Sequence, residues 1–324
     1  MMLKSPNKNT GPRTALAPRS RRHSLMLSMR RNWQLYVLLF LPLIFFLVFK
    51  YFPMYGAQIA FRKYRAIDGI WGSEWVGLKY FRKFFTSHNF GPIVRNTLSL
   101  SLLQLVLSFP MPIIVALALH ACMHKTFKKI VQNVIYAPHF ISMVVMCGLI
   151  IQFLDPRYGI INQVLGIFGI APIEFMSIPK YFDDVFVWSG IWQNTGWGTI
   201  IYLAALADVD ISYHEAAEID GASRFQRILH IDLPCIMPTA VTMLILNCGN
   251  VFNIGFQKIL LLQNSLNSSA SEVIQTYSYK IGLASSMSDF SYSTAIGLFV
   301  SVCNLIMILM VNRIGKKVSG TSVW

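Results

Sequence analysis

The residues best equipped for chemistry crowd into HEAAEIDG, His214–Gly221. His214 and Glu215 open a partial match to H-E-x-x-H, the helical histidine pair that binds zinc in metalloproteases. Glu218 stands where the second histidine belongs, and no third ligand follows at a metal-site spacing, so the expectation is no metal and no metal catalysis. RIGKKVSG near the C-terminus has a Gly-Lys but lacks the upstream glycine and the Ser or Thr of a phosphate loop. No G-x-S-x-G nucleophile turn occurs, and Asp183-Asp184 is an isolated acidic pair. The chain is therefore expected to be non-catalytic and to bind no ATP itself.

A second group of side chains suits recognition. Aromatic faces and planar amides bind sugars. Trp188, Trp192, Gln193, Asn194 and Trp197 form one such group, and Asn247, Asn250, Asn253, Gln257 and Lys258 another. Asn250, Asn253 and Gln257 fall at i, i+3 and i+7, one face of a helix. Helix–helix hydrogen bonding and interfacial tryptophans account for part of this set. A single polar face on a membrane helix otherwise looks into a cavity. Lys258 suggests an anionic partner, such as an acidic oligosaccharide, and headgroup snorkelling is the competing explanation.

The elements carrying these residues are apolar. The chain of 324 residues is 54% hydrophobic and 13% charged, against roughly 25% charged in soluble domains. A bilayer crossing needs roughly 20 mostly apolar residues. Six segments qualify or come close: 33–49, 96–119, 130–154, 185–207, 235–262 and 291–312. Open strand edges are not satisfied in lipid, so each is expected to be a helix. Lys and Arg crowd residues 1–32, which places the N-terminus in the cytoplasm and, after six crossings, the C-terminal tail 316–324 as well. The basic loop after the first span, with Arg62, Lys63, Arg65, Lys79, Arg82, Lys83 and Arg95, runs against that rule. Its stretch GSEWVGLKYFRKFFTS reads as a surface-lying helix. The net charge of +14 sits in tails and loops beside apolar runs, where anionic lipid rather than nucleic acid explains it. The five scattered cysteines read as packing residues.

Between the fourth and fifth spans, residues 208–234 are charged. Ser212 and Glu215 fit a capping box, so a helix is expected from Tyr213. Gly221 permits a turn, and Ala222–Leu229 reads as a second short helix. Ala216, Ala217, Gly221 and Ala222 offer a smooth face with a charged rim, a docking knob in form.

EAAEIDGASRFQRILHIDLPCIMP resembles the E-A-A-x-x-D-G-A…I-x-L-P signature of permease subunits in binding-protein-dependent ABC importers. Glu215, Ala216, Ala217, Asp220, Gly221, Ala222, Ile231, Leu233 and Pro234 carry the match. WVGLKYFRKFF and NTLSLS are similar to the sugar-importing branch, and FNIGFQKILLLQN to the polysaccharide-derived oligosaccharide sub-branch. The resemblance implies an all-α integral membrane protein with six transmembrane helices, the type I importer permease fold, spanning residues 33–315. It implies that loop 208–234 holds a cytoplasmic coupling helix gripped by a separate ATPase, with Glu215 and Gly221 supplying docking contact and bend. It also implies a second, different permease subunit, two ATPase subunits that bind ATP and Mg, an extracytoplasmic solute-binding protein, and transport by alternating access. Permeases for glycerol phosphate or peptides stay open as alternatives. An ion-coupled carrier is a further alternative, but no Asp or Glu occurs in the six segments to bind the ion.

Overall fold

The computed structural model describes residues 31–319, so most of the basic tail 1–32 and the end of the tail 316–324 lie outside the described residues. The chain forms two units, 1–57 and 58–324. In the first, α1 (Trp33–Phe46) is exposed along its whole length, with no buried side chain. A run such as LLFLPLIFF exposed on all sides belongs in lipid rather than water.

The second unit opens with a hairpin, β1 (Arg62–Arg65) against β2 (Ser73–Trp75), in the register Arg62↔Trp75 and Lys63↔Glu74. This is a small departure from an all-α chain. The next segment does not lie as a free surface helix. In α2 (Lys79–Phe85), Tyr80 and Phe84 are buried and join Ile93, Tyr292 and Ile296 in a hydrophobic cluster. Aromatics and bases alternate there because one face packs on protein while Lys79 and Arg82 face outward.

Helices α3 (Phe90–Ser108) and α4 (Pro110–Ala121) follow, then α5 (Lys125–Tyr136), α6 (Met143–Phe153) and α7 (Phe182–Ala207). Beyond the loop come α8 (Ile211–Ile219), α9 (Arg224–Arg227), α10 (Leu233–Cys248), α11 (Phe256–Leu262), α12 (Ile274–Tyr279) and α13 (Phe290–Ser319). Among the described residues, four helical runs are long and apolar enough to cross a membrane: Trp33–Phe61, Phe90–Ala121, Arg224–Cys248 and Phe290–Lys317. A fifth arises if Lys125–Phe140 and Met143–Phe153 count as one span.

That pair corrects the expected straight span 130–154, because the two parts meet at 103°. Pro138 lies in a tight turn, and Ser142, with extended backbone, caps α6 by accepting from the Val145 amide. The expected span 235–262 is corrected too. Its helix begins at Arg224, ends at Cys248, and resumes only at Phe256 after Gly255 in left-handed conformation. Five residues of π turn, Ile228–Asp232, join α9 to α10. Pro234 has no amide to donate and its ring crowds the carbonyl four residues back, so the turn widens just before it.

Helix α7 is the axis of the unit, packing on α3, α4, α5 and α10. It is 26 residues long, but tryptophans, glycines and amides interrupt its apolar residues, and it is not among the runs apolar enough to cross a membrane. Gly196 makes the packing possible, since a Cβ there would overlap the backbone carbonyl of Ile135 in α5.

Candidate functional site

The loop between α7 and α10 is built by capping. Asp210, not Ser212, starts α8: its carboxylate accepts the Ser212 amide at 2.9 Å. The expected start at Tyr213 is thereby corrected. Asp210 stands two residues nearer the preceding span, where the backbone is already extended, and an ionised acceptor outcompetes a hydroxyl. Those bonds, to the Ser212 amide first and its hydroxyl second, hold the Asp210 carboxyl below the ordinary carboxylate range.

The other end of α8 explains the signature. The Ala222 amide bonds the Ala217 carbonyl at 2.9 Å and the Gly221 amide bonds the Glu218 carbonyl at 3.1 Å. Gly221 sits at φ +78°. This is a Schellman stop, in which a left-handed residue lets the next amides satisfy the last helical carbonyls. The capping box lies further on, where Ser223 and Gln226 exchange side-chain-to-amide bonds at the start of α9. The expected helix over Ala222–Leu229 therefore begins two residues later, at Arg224 after the Ser223 cap, and runs on into the next span. Glu218 and Arg227 close the loop with a 2.9 Å ion pair.

Glu215, Ala216, Asp220 and Gly221 are exposed, Ala217, Ala222 and Leu233 half-buried, and Pro234 exposed where α10 begins. The surface is less smooth than expected. Ile219 is 87% exposed and Phe225 71% exposed. Their positions fall between the signature residues, so the motif gives no sign of them, although two large apolar residues amid charges were visible as an anomaly.

The second feature is an open cavity of about 350 Å³ lined by α3, α4, α7, α10 and the break after α10. Asn194, Asn247, Asn250 and Asn253 line it, together with Ser101, Gln104, Ser108 and Tyr202 and with apolar Leu105, Phe109 and Met243. Among the described residues, none that lines it is charged. Asn250 and Asn253 meet there through the turn 249–255, not through a shared helical face, because α10 has already ended. Ser101 anchors that turn by donating to the Val251 carbonyl, and Asn304 accepts the Phe252 amide at 3.2 Å. Gln104 Oε1 and Ser108 Oγ are buried without a hydrogen-bond partner, so they have capacity left for water or a polar solute. Ser101, Gln104 and Ser108 sit at i, i+3 and i+7, a polar stripe in an uncharged span that sequence reasoning passed over.

The other candidates are elsewhere. Trp192 faces an apolar groove with Leu149, Phe153 and Trp188. Trp197 stacks on His139 with centroids 4.5 Å apart, and His139 Nδ1 lies 3.3 Å from Asn194 Oδ1. Gln257 is exposed and off the cavity. Lys258 is 4% exposed and donates to the Phe186 carbonyl at 2.6 Å, with its ammonium 4.5 Å from the Phe186 ring centroid. It neither snorkels nor lines the cavity. Both contacts come from α7, so the structure places Lys258 against that helix and not among the residues lining the cavity, away from the expected contact with an acidic solute.

Residues 94–320 match the family described as binding-protein-dependent transport system inner membrane component. The chain belongs to that family. It is a transmembrane permease subunit of an ABC importer, a non-catalytic component of a family for which no cofactor is expected. The permease is 43% identical over 294 residues to protein LplB of Bacillus subtilis (strain 168), covering 91% of this chain and 92% of that one. It is 41% identical over 299 residues to the polygalacturonan/rhamnogalacturonan transport system permease protein YteP of the same organism, covering 92% of each. Its fold matches a chain in the crystal structure of a bacterial ABC transporter involved in the import of the acidic polysaccharide alginate. That match has a TM-score of 0.83 and 36% identity, and covers 91% of the permease and 99% of the other chain.

Proposed function

We propose that this permease forms half of a heterodimeric pore that imports oligosaccharides, acidic ones among them, by alternating access. On this reading it crosses the membrane six times, α7 included, with both termini in the cytoplasm. A solute-binding protein delivers the sugar from outside. One of the two ATPase subunits of the complex grips α8 from inside, through Glu215, Ala216, Ala217, Asp220, Gly221 and Ala222, while Leu233 and Pro234 turn the chain into α10. Membrane lipid surrounds the rest.

The observation that carries this reading is the position of the cavity. It lies between the two helices, α7 and α10, that lead into and out of the loop. Its lining mixes amides and hydroxyls with apolar side chains and carries no charge, which suits a polyhydroxylated solute, since planar amides offer both donors and acceptors. A solute carboxylate would accept from amide N–H groups there. Support for an acidic sugar comes from the relatives, two of which serve polygalacturonan/rhamnogalacturonan and alginate transport by their descriptions.

The test is uptake by the whole transporter in proteoliposomes, supplied with oligogalacturonate, alginate oligomers or neutral oligosaccharides. Uptake of an acidic oligomer that requires ATP and the binding protein is expected. Uptake driven by a pH gradient without the ATPase would refute the reading. Loss of ATPase co-purification in Gly221→Arg tests the grip separately.

A further inference from the structure

Beside the coupling loop, three metal-binding side chains from three elements meet. His120 comes from the last turn of α4, His214 from α8, and Asp232 from the turn entering α10. The ligand-type atoms all lie within 4.8 Å of one another. His214 Nε2 is 3.0 Å from Asp232 Oδ1, and His120 Nε2 is 3.9 Å from the same oxygen. We propose that these residues form a binding site for a divalent transition-metal ion of the zinc class, clamping the coupling helix to the ends of two spans.

Three observations support the site. Asp232 has a side chain only 3% exposed, and among the described residues its ion-pair neighbours are the two histidines alone. A buried carboxylate left without a cation is costly. Second, the 3.0 Å approach is not an aligned hydrogen bond, for His214 Nε2 and Asp232 Oδ1 are both buried without a hydrogen-bond partner. Ligands of one metal point at a common centre and pass each other edge-on in this way. Third, bonds of about 2.0–2.2 Å in a tetrahedral site put ligand atoms roughly 3.3–3.6 Å apart. The observed 3.0 and 3.9 Å bracket that spacing. Two imidazoles and a carboxylate are a borderline donor set that suits Zn²⁺, with water left to fill the fourth position. The spacing within HEAAE is irrelevant to this site, because the partners of His214 come from residues 94 positions before it and 18 after it.

The clamp, though not the site, rests on the coupling role of α8. A bound ion would tie α8 to α4 and α10 and so resist any movement of the loop against the spans.

The purified transporter complex, stripped with chelator and titrated with Co²⁺, provides the test. Four-coordinate cobalt absorbs in the visible, and Zn²⁺ should displace it. We expect absorption in wild type beyond that of His120→Gln, with affinity at least about tenfold weaker in His120→Gln and Asp232→Asn. His120→Cys, which keeps a ligand, should restore it and shows that loss is not misfolding. In proteoliposomes Zn²⁺ should slow ATP hydrolysis by wild type and not by His120→Gln. Equal absorption in wild type and His120→Gln overturns the site. Lost absorption with equal zinc sensitivity of hydrolysis overturns the clamp. Should Gly221→Arg keep its ATPase, the coupling reading fails while the cobalt absorption stands.

Discussion

Gly221 offers the sharpest test of how the coupling loop works. Its φ of +78° lies in the left-handed region, and nothing stands within 4 Å of a Cβ built on it. Alanine there adds no clash, only backbone cost, about 1–2 kcal/mol for an L-residue. Such a cost lowers the ratio of bent to unbent loop about fivefold to thirtyfold. The unbent loop loses the two bonds that end α8, from the Ala222 amide to Ala217 and from the Gly221 amide to Glu218. Only the bent fraction binds, so apparent affinity for the ATPase subunit weakens by up to that factor. Asparagine visits the left-handed region far more readily and is the second residue of choice at this stop. The assay is titration of ATPase subunit onto permease in nanodiscs, with solute-stimulated ATP hydrolysis as a second readout. Gly221→Ala should weaken binding by a factor within that range, and Gly221→Asn should recover most of the loss. If asparagine is as damaging as alanine, bulk at the interface rather than backbone conformation sets the requirement. If alanine is silent, the bend is not what the ATPase reads.

Four further outcomes follow from the geometry. Gly196→Ala drives a methyl into the Ile135 carbonyl, and thermal unfolding should show a loss of about 1–3 kcal/mol, the usual cost of overpacking. Lys258→Gln removes a buried donor from the Phe186 carbonyl. It should cost about 1–3 kcal/mol of stability while leaving the ratio of acidic to neutral sugar uptake unchanged. Ile219→Ser should weaken ATPase binding by roughly tenfold or more if this exposed apolar side chain is a docking anchor, measured in the same nanodisc titration. Asp210 has its carboxyl held low by the Ser212 amide and hydroxyl, so its contribution is complete above the ordinary carboxylate range and fades as pH falls through the lower folded value. Exchange protection of the Ser212 amide should follow that acid loss in wild type, be absent in Asp210→Ala, and persist without pH dependence in Asp210→Asn.

Hydropathy made much of this architecture legible because lipid demands apolar length. It located the runs that became Trp33–Phe61, Phe90–Ala121, Arg224–Cys248 and Phe290–Lys317. It could not see direction. The 103° corner near Pro138 and Ser142, and the break before Gly255, leave the apolar content of their runs almost unchanged. The helical stop at Gly221 was readable from local chemistry, since a glycine after a run of helix formers has few other uses. The choice of Asp210 over Ser212 was not, as two capable caps lay two residues apart and the trajectory leaving α7 decided between them. Partners distant in sequence were invisible. Lys258 meets a carbonyl 72 positions away, and the His120, His214 and Asp232 cluster needs three elements in place. Periodicity misled over Asn250, Asn253 and Gln257 because it presumed an unbroken helix, while the true stripe, Ser101, Gln104 and Ser108, lay on α3.

The two routes from loop to cavity differ in stiffness, and that difference bears on how a push at α8 would be felt. Helix α7 contains no proline and runs unbroken from Phe182 to Ala207. From its end at Ala207 back to Asn194 is about 20 Å of continuous helix. Gly196 seats it against α5 so closely that it cannot rotate without moving that neighbour. On the other side, α9 reaches α10 through a π turn and Pro234, with Pro238 one turn further along. Each of these removes or misaligns a backbone hydrogen bond, and such places are where helices bend. A displacement of the loop would therefore carry Asn194 and Tyr202 with it as parts of a rod, while Asn247 and Asn250 beyond the pliable joint lag behind. The cavity wall is made of both sets. Under the proposed mechanism, movement of one wall against the other, rather than translation of the whole site, is what would change its access.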